Sequence, residues 1–229
     1  MDLRLNLINY SDRHLMPGQR NKPFHDFLDL VEAEIPDLVV EVGDGQELIW
    51  FTWNQLIQEN ESLLTLERMR MIAKRIEYWI IPGNHNPNIA DYADWLKPIK
   101  VMPRQVDFAG IHFEHGDRGD PTIAWWNFWV QFPLVKEHLP WLYMKLFGSP
   151  REWKERDQAE WTRRNALLYN IPFEKYAADN QTPLIFGHTH QPYLKATQDR
   201  LKVANCGDFC DSYSFNQVKD DEWRLRWVR

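Results

Sequence analysis

A layered α/β fold, with two sheets packed face to face and flanked by helices, is what this chain's pattern predicts. Three observations carry that expectation. Short apolar strands alternate with helical patterns through the first third of the 229 residues. The pattern changes after residue 101, and again after Pro183, to short strands separated by tight turns. Side chains able to ligate metals recur where the first three strands end, the place at which open α/β sheets put their active sites.

Residues 3–8 alternate as a strand, with Leu3, Leu5 and Leu7 on one face. Phe24, Phe27, Leu28 and Val31 recur at helical spacing and predict a helix over 24–35. Residues 37–42 form a short apolar strand that stops at Gly43-Asp44. One long helix is expected across much of 48–74, and a buried strand over 77–81 ends at Pro82-Gly83. Strands and tight turns, such as 107–110, take over from 101 to 115. Five further short strands are expected at 184–186, 193–195, 201–204, 213–218 and 223–228, forming a second, mainly antiparallel set.

Between these sets, residues 121–178 read as a helical insertion that holds six of the twelve tryptophans: Trp125, Trp126, Trp129, Trp141, Trp153 and Trp161. No polar linker sets it apart, so it is expected to pack within a single domain spanning 1–229. Its aromatics either fix the insertion to the core or form a lid whose apolar surface suits a lipid chain or a flat ring. The polar face of 121–142 is not strongly basic, so any membrane contact would be weak, peripheral and driven by apolar burial. Arg156, Arg163 and Arg164 are candidates to meet a phosphate.

The composition, 44% hydrophobic and 26% charged, is that of a soluble globular protein. A formal charge of −6 argues against nucleic acid as a partner, because binders of a phosphate backbone normally present a basic surface. It leaves a small phosphorylated substrate open, since bound cations would dominate the local field. Residues 1–6 lack the apolar core of a signal peptide, and no stretch nears the roughly 20 apolar residues of a membrane span. The expected compartment is the cytoplasm. Cys206 and Cys210 lack partners at zinc-finger spacing and read as structural or incidental thiols, although a disulfide between them is open in principle.

The chemistry lies in five short clusters: Asp12 with His14, Asp44, Asn84 with His85, His115, and His188 with His190. Carboxylate, imidazole and amide oxygen are donors that Mn, Fe and Zn accept. Seven of these eight side chains, His85 set apart, are enough for two ions, and a two-metal centre is a standard means of attacking a phosphate ester. In an extended segment at a strand end, residues i and i+2 point the same way, so Asp12 and His14 can reach one ion. His188 and His190 repeat the spacing, with Gly187 allowing close backbone approach or an unusual backbone angle. His25, His112 and His138 read as structural or solvated, with His112 pointing away from the site.

Asp-x-His, Gly-Asp, Gly-Asn-His, a fourth-block His and Gly-His-x-His, in this order over 12–190, resemble the signature of calcineurin-like metallophosphoesterases. The resemblance implies a four-layer α-β-β-α sandwich and two divalent ions, Mn foremost with Fe and Zn as alternatives. Asp12, His14, Asp44 and His190 would hold one ion, and Asp44, Asn84, His115 and His188 the other. It further implies in-line attack on phosphorus by a metal-bridging hydroxide. His85 would be the catalytic residue that stabilises the transition state or protonates the leaving oxygen. Asn86 stands where the family often has Asp, which removes a carboxylate able to orient the His85 imidazole.

A helical insertion before Gly-His-x-His is similar to the arrangement in UDP-2,3-diacylglucosamine hydrolases, which cleave a pyrophosphate bond in lipid A synthesis. Glu47-Leu48 after Gly43-Asp44, and the run Asn205-Cys206-Gly207-Asp208-Phe209, resemble motifs of such relatives. The best-known branch of these hydrolases has Arg where this chain has His85. The resemblance therefore implies a small phosphorylated substrate, with a nucleotide-sugar lipid as its narrower form. A nuclease of the same family is disfavoured by the net acidity. A Ser/Thr protein phosphatase is disfavoured because Asp117-Arg118-Gly119 follows the fourth block instead of occupying the second. The rival of another class is a non-catalytic scaffold that binds protein through the aromatic insertion.

Overall fold

The computed structural model describes residues 5–19, 21–119, 170–197 and 200–228. The first sheet has six strands in the order β11-β10-β1-β2-β3-β4. They are β1 Asn6–Tyr10, β2 Leu38–Val42, β3 Glu77–Ile81, β4 Lys100–Val101, β10 Ser214–Lys219 and β11 Glu222–Trp227. Strands β1 to β4 are parallel; β10 extends the sheet antiparallel to β1, and β11 pairs antiparallel to β10. The second sheet runs β5-β6-β7-β9-β8, from β5 Gln105–Phe108, β6 Ile111–Glu114, β7 Leu184–Phe186, β8 Tyr193–Ala196 and β9 Lys202–Asn205. Its centre, β6, β7 and β9, is parallel; only the edges β5 and β8 run the other way. The second set is therefore mixed instead of mainly antiparallel, because β6 and β7 are separated by a long stretch of chain that permits a crossover.

Period-two alternation explains how the layers stack. Leu7, Leu38, Val40, Val42, Trp79 and Ile81 point from the first sheet toward Ile111, Phe113, Ile185 and Ala204 of the second, and form the core between the sheets. Ile8, Tyr10, Val39, Tyr78 and Ile80 occupy the opposite face and pack under α1 Lys22–Glu34 and α3 Asn60–Ala73. Beyond the second sheet, Phe173 and Ala177 of a helical run over 170–180 cover Leu184, Phe186 and Val203. Helix, sheet, sheet and helix make the four-layer sandwich. Leu5 and Leu7 share the inter-sheet face as expected, but the strand begins at Asn6 and pairs with β10 on one side and β2 on the other.

The single helix expected over 48–74 is two, α2 Trp53–Gln58 and α3. Thr52 and Gln55 form a reciprocal capping box that starts α2. Glu59 then leaves helical geometry, at φ −92° and ψ 127°, and its carboxylate accepts the Ser62 N–H to cap α3. The insertion over 121–178, with its tryptophans and its arginines, lies outside the described residues except for its last turns. Among the described residues, no helix is long and apolar enough to cross a membrane.

Candidate metal centre

Six loops converge at one end of the sandwich, each following a parallel strand. In the first sheet β1 leads to Asp12 and His14, β2 to Asp44, and β3 to Asn84 and His85; in the second β6 leads to His115, β7 to His188 and His190, and β9 to Asp208. The carboxyl ends of two packed sheets thus face a common cleft, a generalisation of the rule for open α/β sheets. Parallel pairing is the cause: it puts every loop of this set at the same end.

The backbone there is not extended. Asp12, His14, Asp44, His188 and His190 all have φ between +49° and +68°, left-handed values that non-glycine residues seldom adopt. The expectation that Asp12 and His14 lie in a plain extended segment is overturned; tight left-handed turns bring the side chains together. Two glycines make room. A Cβ at Gly43, whose φ is +83°, would sit 2.3 Å from His115 Nδ1, and one at Gly187 would sit 2.5 Å from Ser11 Oγ.

Two groups of donors result. Asp12, His14 and His190 form one, and Asp44, His115 and His188 the other, while His14 also belongs to a third cluster with Glu47 and His85. In the first, His14 Nε2 and His190 Nε2 are 3.3 Å apart, and Asp12 Oδ1 lies 3.4 Å from His190 Nε2 and 3.8 Å from His14 Nε2. In the second, His115 Nε2 is 2.9 Å from Asp44 Oδ2 and 3.1 Å from Asn84 Oδ1. Asp12 Oδ1 also lies 3.9 Å from His115 Nε2, so the groups adjoin. All seven residues singled out as ligands therefore meet in one place.

This donor set fits metal ions. Asp12 Oδ1 is fully buried without a hydrogen bond, although Asp12 Oδ2 accepts the His188 N–H at 2.8 Å. A buried carboxylate oxygen left bare among imidazole nitrogens is costly unless a cation serves it. Ligands about 2.0–2.2 Å from a tetrahedral ion stand roughly 3.3–3.6 Å apart, close to the spacings of the first group.

The electrostatics agree. Burial works against a charged His115, yet the Asp44 and Asp12 carboxylates push its pKa up to about 10. Burial likewise opposes ionised Asp44, but His115, His85 and His14 hold its carboxyl well below the usual range. A proton on His115 offsets the charge of these buried carboxylates.

Several of these imidazoles are oriented from behind. His14 Nδ1 donates to Glu47 Oε2 at 2.8 Å, and His115 Nδ1 donates to the Val42 carbonyl at 2.9 Å. His85, whose side chain is 23% exposed, has its Nδ1 2.5 Å from Glu47 Oε1. The carboxylate expected to be missing at residue 86 is thus supplied by Glu47, three residues after Asp44. Asn86 braces the loops instead. Its Oδ1 accepts the Gly83 N–H at 2.7 Å and the Asp44 N–H at 3.3 Å. Its amide donates to Gln46 at 2.9 Å, and Gln46 donates to buried Glu41 at 3.1 Å. Glu47 and Asp208 are the functional-site residues that motif spacing did not single out as such. Their trace in the sequence is the resemblance of Glu47-Leu48 and of the run Asn205-Cys206-Gly207-Asp208-Phe209 to motifs of relatives.

Outside the site, His112 Nδ1 pairs with Asp107 at 2.6 Å and His25 approaches Thr65 at 3.4 Å. His138 lies outside the described residues. Cys206 and Cys210 are not joined in a disulfide.

Carboxylates, imidazoles and an amide held at the strand ends of a two-sheet sandwich define an α/β protein with groups able to hold two ions. The family model for calcineurin-like phosphoesterases matches residues 6–192. The chain belongs to that family, whose members use divalent metals, and is a metal-dependent phosphoesterase. Two solved structures with TM-scores above 0.5 share the fold. TT1561 of Thermus thermophilus superposes with a TM-score of 0.52 at 11% identity, covering 98% of this chain and 99% of that one. A dimetal phosphatase from Danio rerio gives 0.51 at 10% identity and covers 99% of each chain. Yfce, a phosphoesterase from E. coli, is 15% identical with a TM-score of 0.47, over 98% of this chain and 100% of that one. A search of curated proteins finds no sequence match.

Proposed function

We propose that this enzyme hydrolyses a phosphate ester or pyrophosphate bond at a dinuclear centre, by in-line attack of activated water. Asp12, His14, Asp44 and His190 would hold one ion and Asp44, Asn84, His115 and His188 the other. The observation that carries the reading is the bare, buried Asp12 Oδ1 ringed by His14, His190 and His115. Mn is the first choice, with Fe and Zn as alternatives, because imidazole mixed with carboxylate and amide oxygen suits all three. Two such cations supply Lewis-acid charge for the phosphoryl oxygens and an activated water.

The chain's own residues do the rest. Glu47 fixes the His85 ring through Nδ1, so that in the imidazolium form Nε2 would carry the proton offered to the leaving oxygen. The same carboxylate steadies His14, so one buried group orients a ligand and the catalytic imidazole together. Asn86 ties Gly83 to Asp44 and thereby keeps the second and third ligand loops in register.

The substrate is a small phosphorylated molecule, with a nucleotide-sugar lipid as the narrower candidate. The tryptophans of 121–178, as an insertion within one domain, support that narrower form as an apolar lid with weak peripheral membrane contact. The acidic net charge speaks against nucleic acid. Two cysteines not joined in a disulfide suit a reducing cytoplasm.

The test is Mn-dependent turnover of a nucleotide-diphospho-sugar lipid beside a generic aryl phosphodiester, with and without chelator. Turnover that disappears on chelation is expected, and preference for the lipid would support the lid. Turnover of the aryl ester alone would discard the lipid substrate. Two bound metals with no turnover of either would favour the scaffold.

A further inference from the structure

Asp208 follows β9, the strand next to β7, and this adjacency sets its loop against that of His188 and His190. Its side chain is almost wholly buried at 1% exposure. Oδ2 lies 3.3 Å from His190 Nδ1. The other oxygen, Oδ1, accepts three main-chain N–H groups, from Cys210 at 2.9 Å, Asp211 at 2.6 Å and Ser212 at 2.9 Å. The carboxylate is therefore anchored by its own turn while its free oxygen faces a ligand ring. On the far side of that ring, Nε2 faces Asp12 Oδ1 and His14 Nε2.

We propose that Asp208 is a positioning residue for the first metal position: it fixes the proton of His190 on Nδ1 and so presents Nε2 as a lone pair to the ion. The inference rests on the dinuclear reading above. Its physical basis is the polarity of one hydrogen bond. A carboxylate only accepts, so the ring nitrogen facing it must donate, and the other nitrogen of a neutral imidazole must then be the bare one. The first position is backed in this way by two buried carboxylates, Glu47 through His14 and Asp208 through His190. At the second, His115 is backed by the neutral Val42 carbonyl. Glu47 is the poorer probe of this effect because it serves His85 as well.

Asp208→Asn separates orientation from folding. The Asn side-chain oxygen can still accept from the turn, but its amide then faces His190 with a donor and favours the ring form whose Nε2 carries the proton. Ser212→Ala is the control, since Ser212 Oγ accepts the Asp208 N–H at 3.0 Å and is part of the turn without touching the ring. The measurement is Mn(II) bound per chain by equilibrium dialysis, with electron paramagnetic resonance to tell a coupled pair of ions from a single ion. The thermal midpoint of each metal-free variant is read alongside. Wild type and Ser212→Ala are expected to bind two ions as a coupled pair. Asp208→Asn is expected to hold one position about 10–100-fold more weakly and to show the uncoupled signal at low Mn(II), with a metal-free midpoint like that of the wild type.

Equal affinities at both positions in Asp208→Asn would overturn the proposal. So would matching losses in Ser212→Ala, which would make the turn the cause. A wild type that binds fewer than two ions would sink the dinuclear reading itself, and this inference with it.

Discussion

Glu47 shows how one side chain can couple two functions. It is fully buried and reaches His14 with one oxygen and His85 with the other, so the proposed ligand and the proposed proton donor are held by the same group. His85→Asn should lower kcat by about 10²–10⁴-fold while Mn(II) content, read by elemental analysis, stays at the wild-type level. A parallel loss of metal would make His85 structural instead. Gly43 presents the opposite constraint, an absence of side chain. At φ +83°, with His115 Nδ1 only 2.3 Å from where a Cβ would stand, Gly43→Ala must displace the His115 ring or the loop. The expected outcome is reduced Mn(II) stoichiometry together with a lower thermal midpoint; an unchanged metal content would show that the loop can give way.

Elements act here chiefly as holders of loop ends. Parallel strands β1, β2 and β3 bring Asp12, Asp44 and Asn84 to one edge, and β6, β7 and β9 do the same for His115, His188 and Asp208. The helical layer is set by caps as much as by apolar periodicity. A stripe of apolar residues runs through 48–74, but the Thr52–Gln55 box and the Glu59 carboxylate start helices at fixed points and divide it. Thr52→Ala should cost about 1 kcal/mol of stability, measured by urea unfolding of the metal-free protein. Turnover per folded, metal-loaded molecule should stay unchanged, because the cap lies on the helical layer. A change in turnover would mean that α2 reaches the cleft.

The whole molecule carries a charge problem that metal resolves. His115 is raised from 6.5 to about 10 in the metal-free fold, so its contribution to stability is complete below pH 6.5 and is lost as pH rises through about 10. Asp44, lowered from 3.8, contributes above its ordinary value and loses that contribution as pH falls through its folded value. The thermal midpoint of the metal-free protein should therefore decline between pH 6.5 and 10. Mn(II) affinity should rise over the same interval, because a ligating imidazole must first lose its proton. A metal-free midpoint that stays flat would show that His115 is not held protonated by Asp44 and Asp12. Saturating metal, about 100 times its dissociation constant, should add about 2.7 kcal/mol per independent site.

Period-two and helical patterns, together with the order of five ligand clusters, made the layered α/β architecture and all seven candidate ligands legible from sequence. Those features are local: a strand's alternation, or a histidine two residues from another, is written in neighbouring residues. Asn86 showed the limit, because its departure from the family pattern suggested an unoriented His85 until Glu47 was found beside the ring. The capped break in 48–74 was local as well, but the apolar stripe concealed it. The left-handed turns, the mixed pairing of the second sheet and the placing of Asp208 behind His190 belong to the tertiary structure. They depend on contacts between residues distant in the chain, such as Glu47 with His14 at a separation of 33 and His188 with Asp12 at 176. Only the register of two packed sheets decides such contacts, since a one-residue slip would turn every side chain to the other face.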